Sequence, residues 1–218
     1  DVGAAIAEGA DARKRFKSAP AFAPAGQSTQ MIVGADSASD TAIVERAAGL
    51  YGRFRLRRVY YSAFSPIPDA SAVLPLRRPP LMREHRLYQA DWMMRFYGYS
   101  NAEVAAATGA DGNLPLDLDP KSAWALKHRE FFPLDVNAAP REALLRVPGL
   151  GVKAVDKILA ARRHRRLRLG DVARLTLSIA KVRPFLIAAD WRPTLLADSV
   201  DLSPLVRPSS HQLELFAA

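Results

Sequence analysis

Residues 140–163 read PREALLRVPGLGVKAVDKILAARR, and this stretch predicts two short helices joined by a tight turn. Pro148 ends the first helix because proline has no N–H to continue the hydrogen-bond ladder. Gly149 and Gly151 permit a sharp turn with a positive φ at either glycine, and Leu150 between them can enter the core. A second helix begins at once, so the stretch predicts a helical hairpin.

The start of the second helix is a candidate anion site. Gly151, Val152 and Lys153 lie where backbone N–H groups have no partner inside the helix. Glycines let a phosphate approach these donors, the helix dipole attracts negative charge, and Lys153 adds a full charge. Such contacts read no bases, so the predicted binding is independent of sequence and sensitive to salt. The candidate residues for DNA contact are Pro148, Gly149, Leu150, Gly151, Val152, Lys153, Lys157, Arg162, Arg163, Arg165 and Arg166.

The positive charge of the chain is concentrated around this hairpin. The net charge is +9, and residues 151–183 hold ten Lys or Arg and two Asp, a net of +8 (10 − 2). All other residues together therefore carry +1 (9 − 8). Concentrated charge creates a local potential that attracts polyanions. Nucleic acid, an anionic membrane and an acidic protein are the three candidate partners.

Other interpretations fit the hairpin sequence less well. Gly149-x-Gly151-x-x-Ala154 also fits a loose dinucleotide fingerprint, but that fingerprint requires a strand before the first glycine, and a helix is predicted there. A P-loop is excluded because no Gly-x4-Gly-Lys-Ser/Thr occurs. Membrane binding needs a large apolar face, whereas the Arg162–Arg168 run offers only Leu167, so we expect no membrane partner. A plain helical hairpin with a solvated basic face remains an alternative.

The composition excludes several kinds of chemistry. The chain has 218 residues, of which 49% are apolar, and no Cys, so disulfides, thiol catalysis and a Cys-ligated cluster made by this chain alone are excluded. The four His are scattered, so we predict no metal site. The longest apolar run, Phe185–Ala189, is far too short for a membrane helix. The start, Asp1-Val2-Gly3, has neither an initiator Met nor a signal peptide, which predicts a cytoplasmic protein that begins within a longer sequence.

Strand and helix alternate in the first part of the chain. Strands are predicted at 28–34 and 58–64 with a helix over 42–51 between them, which makes a βαβ unit with parallel strands. Further helices are predicted at 81–97, 101–108 and 121–130. In the C-terminal third, the pattern predicts a helix at 172–175 capped by Asp171, a later helix carrying Val182, Phe185 and Leu186, and a flexible segment over 192–211.

The hairpin resembles the helix–hairpin–helix motif of DNA repair and recombination proteins. The segment Val147-Pro-Gly-Leu-Gly151 carries the resemblance. The family's usual pattern has Ala four residues after the second glycine, whereas here Val155 holds that place and Ala154 precedes it. Residues 171–186 resemble the degenerate half of a paired domain, which packs but contacts DNA weakly.

The order of several other segments resembles the radical S-adenosylmethionine (SAM) proteins assigned to DNA modification or repair. The segments are 26–34, 57–66, 83–97 and 132–137, followed by the hairpin. The resemblance implies an α/β partial (β/α) barrel fragment in 1–110, a connecting loop and helix in 111–137, an all-α helix–hairpin–helix DNA-binding domain in 138–190 and a flexible tail in 191–218. It implies S-adenosylmethionine and a [4Fe–4S] cluster for the full-length protein, although this chain lacks the family's CxxxCxxC loop and is expected to bind no cofactor alone.

On this resemblance, the chain is the C-terminal part of a radical enzyme that acts on DNA. A non-catalytic DNA-binding or adaptor module is the alternative. Polar residues at the ends of barrel strands are candidate contacts to cofactor or substrate, namely Ser28, Gln30, Tyr60, Tyr61 and Ser62. Each of them also fits a turn residue or a packed tyrosine. Glu84, His85 and Asp91 fall on a helix where a solvated face is the default, so we assign no catalytic residue.

The end of the chain carries a possible linear motif. Residues 212–216, Gln-Leu-Glu-Leu-Phe, resemble the peptide by which bacterial DNA polymerases and repair proteins bind the sliding clamp. Leu213, Leu215 and Phe216 would fill an apolar pocket, and Gln212 would supply hydrogen bonds. An apolar tail that packs on its own domain is the alternative.

Overall fold

The N-terminal half of the protein is built on a βαβ unit. The computed structural model describes residues 2–67, 73–193 and 202–207. The elements of this part are helix α1 (Val2–Arg15), strand β1 (Ser28–Val33), helix α2 (Asp40–Phe54) and strand β2 (Arg58–Ala63). The two strands pair in parallel from Ser28 opposite Arg58 to Val33 opposite Ala63, which confirms the predicted parallel pairing. Helix α2 begins where Ser39 caps its first turn.

One face of this sheet is covered and the other is open. Val33, Val59 and Tyr61 are buried against the helices. Side chains on the alternate positions face outward, and Tyr60 among them is 43% exposed. Within the described residues β1 and β2 form a sheet of two strands that does not close into a barrel. The barrel fragment therefore stays a prediction.

Helix α3 (Leu81–Tyr97) packs on β2 and α2 and has the predicted bounds. Its inner face buries Leu87, Ala90 and Met93. The Tyr88 hydroxyl accepts a hydrogen bond from the Tyr61 amide at 3.0 Å and donates one to the Tyr61 carbonyl at 3.1 Å. Helix α4 (Asn101–Ala106) follows and begins with a capping box made by Ser100 and Glu103.

Helix α5 (Pro120–Lys127) connects the two halves of the core. Asp119 caps it, and a 3₁₀ turn over Arg129–Phe131 follows, so the α-helix ends three residues before the predicted bound. Trp124 on α5 packs edge-on against Tyr99, with ring centroids 5.5 Å apart. The rings of Phe132 and Phe185 lie 5.0 Å apart and continue this core into the C-terminal part.

In the C-terminal part, two helices joined by a turn lie where the hairpin is predicted, but the first ends at Leu144, four residues before Pro148. The elements of this part are strand β3 (Leu134–Asp135), helices α6 (Arg141–Leu144), α7 (Val152–Ala161), α8 (Leu169–Ala173) and α9 (Ile179–Val182), a 3₁₀ turn (Arg183–Phe185) and strand β4 (Leu186–Ile187). Strands β3 and β4 pair in parallel. The prediction of a helix at Leu186 is therefore wrong, because the backbone there extends to pair with β3. Helix α8 begins three residues before the predicted start, since Asp171 lies within its first turn and accepts a hydrogen bond from the Arg168 amide at 3.0 Å.

The segment after β4 is partly packed on the domain. Helix α10 (Ser203–Val206) contacts α9, and Leu202 and Val206 are buried. Within the stretch 192–211, the buried side chains of Leu202 and Val206 pack against the core, while the flexibility of the tail stays a prediction. The clamp-like peptide at 212–216 lies outside the described residues. Among the helices that are described, none combines the length and the apolar character that crossing a bilayer requires.

Candidate nucleic-acid interface

The turn between α6 and α7 forms an exposed corner, here called the glycine corner (residues 149–153). Gly149 has a φ of +82°, whereas Gly151 has a φ of −96° and a ψ of 170°. Leu150 between them is fully buried and anchors the turn in the core, as the sequence predicts. No described side chain caps α7. The first-turn amides of α7, from Val152 onward, therefore point out of the helix without an internal partner.

Ion pairs hold the corner in place. Arg141 of α6 and Asp156 of α7 are paired at 2.9 Å between Nε and Oδ1. Arg146 Nε donates to Glu103 Oε1 at 2.8 Å and so ties the hairpin to α4. Burial alone would raise the pKa of Glu103, but hydrogen bonds from the Ser100 amide and from Arg146 outweigh it and hold this pKa below its ordinary value. Glu103 is therefore ionised at neutral pH and binds Arg146 as a charged pair.

A buried lysine lies directly behind the glycine corner. Lys121 on α5 is 7% exposed, and its Nζ donates a hydrogen bond to the carbonyl of Leu150. The same Nζ lies 4.7 Å from the centroid of the Tyr97 ring. Burial lowers the pKa of Lys121 to about 7, an effect that the Asp119 carboxylate partly offsets. The turn is therefore fastened from inside by an amine whose charge changes near neutral pH.

This burial predicts a pH-dependent stability. In the unfolded chain Lys121 keeps its ordinary pKa of 10.5. Between pH 7 and that value the unfolded chain binds a proton that the folded chain does not, so raising the pH favours the folded state. Relative to Lys121→Met, the free energy of unfolding of the wild type should rise by up to about 1.4 kcal/mol per pH unit between pH 7 and pH 9. Urea denaturation of both proteins at several pH values measures this, and parallel pH profiles would contradict it.

Exposed cations lie on the outer face of α7 and beyond its C-terminal end. Lys153 and Lys157 lie one turn apart on the outer face of α7, and Arg163 and Arg166 follow it; all four are exposed. Arg165 is also exposed, although its Nη2 donates to Asp171 Oδ1 at 2.6 Å. Lys153 lies at the corner, whereas the three arginines lie beyond the other end of α7, about 15 Å along the helix axis. They would contact only a polyanion that extends along α7.

Three predicted contact residues take part in the packing of the hairpin. Arg162 Nη1 donates to the carbonyls of Val136 and Ala139, at 3.1 and 2.6 Å. These bonds hold one end of the guanidinium against the β3–α6 connection, and the contact of Arg162 with DNA stays a prediction. The side chains of Pro148 and Leu150 are buried and shape the turn without facing solvent.

Comparison with known proteins does not indicate what the glycine corner binds. The chain matches no protein-family model, no curated protein and no solved structure.

The structure brings the predicted cofactor contacts together on the open sheet face. Ser28, Gln30, Tyr60 and Ser62 occupy positions on that face, and Gln30 Nε2 donates to Ser62 Oγ at 2.6 Å. Tyr61 points the opposite way into the core, and burial raises the pKa of its hydroxyl. The open face carries hydroxyl and amide groups that a nucleoside ligand can bond. Its assignment to S-adenosylmethionine rests on the resemblance alone.

An iron–sulfur cluster does not fit the donor groups of this chain. Such clusters are held by cysteine thiolates. The chain has no Cys, and its described residues contain no group of three or more His, Cys, Asp or Glu that could hold a metal ion.

Two acidic residues that were predicted to face solvent stabilise the packing of α3. Glu84 accepts a hydrogen bond from the Ala63 amide at 2.8 Å, and the buried Asp91 accepts one from the Tyr51 hydroxyl at 2.6 Å. Burial and this hydrogen bond raise the pKa of Tyr51 to about 12. The prediction of a solvated face is wrong for Asp91, because α3 turns it toward α2.

Sequence patterns missed a cleft that lies beside the glycine corner. The cleft has a volume of about 590 Å³ and is bordered by α3, the glycine corner and the segment between α8 and α9. Its lining includes Trp92, Tyr97, Lys121, Leu177 and Lys181. These residues are far apart in the sequence, so no periodicity or spacing connects them. Here the cleft is named the Trp92 cleft.

Proposed function

We propose that this chain binds the sugar–phosphate backbone of DNA, without sequence preference, through the glycine corner. The observation that carries the proposal is the uncapped start of α7 at an exposed turn whose Leu150 is fixed in the core. A phosphate oxygen can approach the first-turn amides because glycine at position 151 leaves the approach free of a side chain. The helix dipole and Lys153 strengthen the attraction.

Charge and shape favour nucleic acid over the other two polyanions. The inner face of α7 is already buried through Val155 and Ile158, while its outer face carries Lys153 and Lys157. An interfacial helix would instead need a free apolar face to enter a bilayer. The start of α7 offers amides to one phosphate, and the cations along α7 can contact the phosphates that follow it on the same strand. An acidic protein would require no such corner.

The resemblance to radical SAM proteins extends the proposal. In such an enzyme this chain would hold DNA near the reacting centre, and the cysteine ligands of the cluster would come from outside the chain. A non-catalytic adaptor would use the same corner and need no cofactor. The clamp-like peptide would add a second attachment to replicating or repaired DNA, and both roles agree with the expected cytoplasmic location.

A salt titration tests backbone binding. If four or five exposed cations contact phosphates, the logarithm of the affinity for duplex DNA should fall with the logarithm of the salt concentration with a slope of about −4. Fluorescence anisotropy with two duplexes of unrelated sequence measures the slope, and both duplexes should give equal affinities. A slope near zero, or affinity for one sequence alone, would overturn the proposal.

Matched variants locate the contacts. Lys153→Ala should reduce the magnitude of the salt slope by about 1 and weaken binding of every sequence alike. Arg46→Ala is the control, because Arg46 is an exposed cation on α2, outside the proposed interface. Equal effects of the two substitutions would mean that only overall charge matters.

A further inference from the structure

The Trp92 cleft opens beside the position where the bound phosphate would lie. Gly149, Leu150 and Gly151 form part of its lining, so the cleft and the glycine corner share an edge. An ideal Cβ on Gly151 would lie 3.8 Å from the Tyr97 hydroxyl, which shows how close the corner is to the α3 wall. A DNA strand held by its phosphate at the corner therefore has its adjacent sugar and base at the mouth of the cleft.

The walls of the cleft suit a flat aromatic ring. Trp92 is 53% exposed, although it packs edge-on against Phe96 with centroids 5.8 Å apart. Leu177 lines the same cleft from the segment between α8 and α9, and its side chain is fully exposed. An exposed tryptophan gives a sequence-tolerant stacking surface for a base. An apolar side chain beside it can enter between neighbouring bases.

The polar groups and the volume of the cleft also suit a nucleotide. Lys181 contributes positive charge, and its Nζ lies 3.8 Å from the Asp119 carboxylate, which it partly neutralises. Gln89 adds an amide to the lining. The volume of about 590 Å³ lies within the range of sites that enclose small organic ligands.

We propose that the Trp92 cleft binds one unpaired nucleobase of the strand whose phosphate is held at the glycine corner, stacked on Trp92. The inference rests on the proposed backbone binding, and it adds that the bound strand is unpaired at this position. A base in a duplex cannot stack on the protein without leaving its partner, so single-stranded or locally unpaired DNA is the preferred ligand.

The test compares three DNA probes of equal length, about 12 nucleotides. They are a single-stranded thymidine oligomer, the same oligomer with abasic sites, and a duplex. The wild type should bind the oligomer about tenfold more tightly than its abasic counterpart, since only the base is missing. Trp92→Ala should lose this difference and leave duplex affinity unchanged. Tryptophan fluorescence should be quenched by the thymidine oligomer in the wild type and much less in Trp92→Phe.

Phe54→Ala is the control. Phe54 is an exposed aromatic residue on α2, with an exposure of 38%, and it neither lines the cleft nor packs against Trp92. Its replacement should preserve the preference for bases. Equal binding of the thymidine and abasic oligomers by the wild type would overturn the stacking proposal and leave backbone binding standing. Absence of binding to all three probes at low salt would instead overturn both proposals.

Discussion

Replacing Gly151 with aspartate should weaken DNA binding at least tenfold and leave the protein as stable as the wild type. Aspartate is a preferred N-cap residue, so its carboxylate would accept hydrogen bonds from the first-turn amides of α7. The aspartate would occupy the donors that a phosphate needs and would also repel the phosphate. The binding free energy that is lost equals about that of a hydrogen bond to a charged group. The backbone tolerates the change, because φ is −96° and an added Cβ has Tyr97 Oη as its nearest described neighbour, at 3.8 Å.

Gly52→Asp is the control for this experiment. Gly52 lies on α2, where an added Cβ meets no described atom within 4 Å, so the variant has the same charge change away from the corner. Anisotropy with a duplex at low salt measures affinity, and urea denaturation measures stability. Unchanged affinity in a folded Gly151→Asp protein would show that the corner does not hold phosphate. Equal losses of DNA affinity in both variants would show that the change in net charge causes the effect.

In contrast to Gly151→Asp, replacing Gly149 with alanine should lower the stability of the folded protein. The φ of +82° lies in the left-handed region, which costs a residue with a Cβ about 1–2 kcal/mol. The new Cβ would also lie 2.9 Å from Val182 Cγ2 and 3.3 Å from Lys181 Cβ. Forcing these groups apart costs typically about 1–3 kcal/mol. We expect the free energy of unfolding to fall by about 2–4 kcal/mol, measured by urea denaturation at fixed pH.

Gly151→Ala is the matched comparison for that experiment. It adds the same methyl group two residues away, at a position with ordinary φ and room for a Cβ, and should cost less than about 1 kcal/mol. A similar loss at both positions, or a larger one at Gly151, would contradict the geometry of the turn. We therefore expect replacement of Gly149 to lower stability, because Gly149 shapes the turn. We expect Gly151→Asp to lower DNA affinity, because Gly151 leaves the amides accessible.

Local patterns in the sequence predicted those parts of the fold that local chemistry determines. The turn before α7 follows from Pro148, Gly149 and Gly151, and the buried position of Leu150 follows from its place between the two glycines, although α6 already ends at Leu144. The βαβ unit follows from two β-prone segments separated by a helical period. In each case neighbouring residues along the chain supply the information, so periodicity and turn chemistry suffice.

Contacts between distant segments could not be predicted in this way. Nothing around Lys121 indicates that its amine reaches Leu150, 29 residues further along the chain. Arg162 looks like its neighbours in a basic run, and only the folded chain shows that carbonyls bind it. Leu202 lies in a polar, proline-containing stretch that predicted flexibility, yet it is buried. The Trp92 cleft belongs to the same class, because its walls meet only after α3 and the hairpin pack together.

A titration of the isotope-labelled chain with a short DNA duplex, followed by backbone amide NMR signals, tests the central claim most directly. The amide signals of Gly151, Val152 and Lys153 should show the largest shifts, and the shifts should disappear at high salt. If these three signals stay in place while others move, for example those of the open β1–β2 face, DNA does not dock at the start of α7 and the account is contradicted.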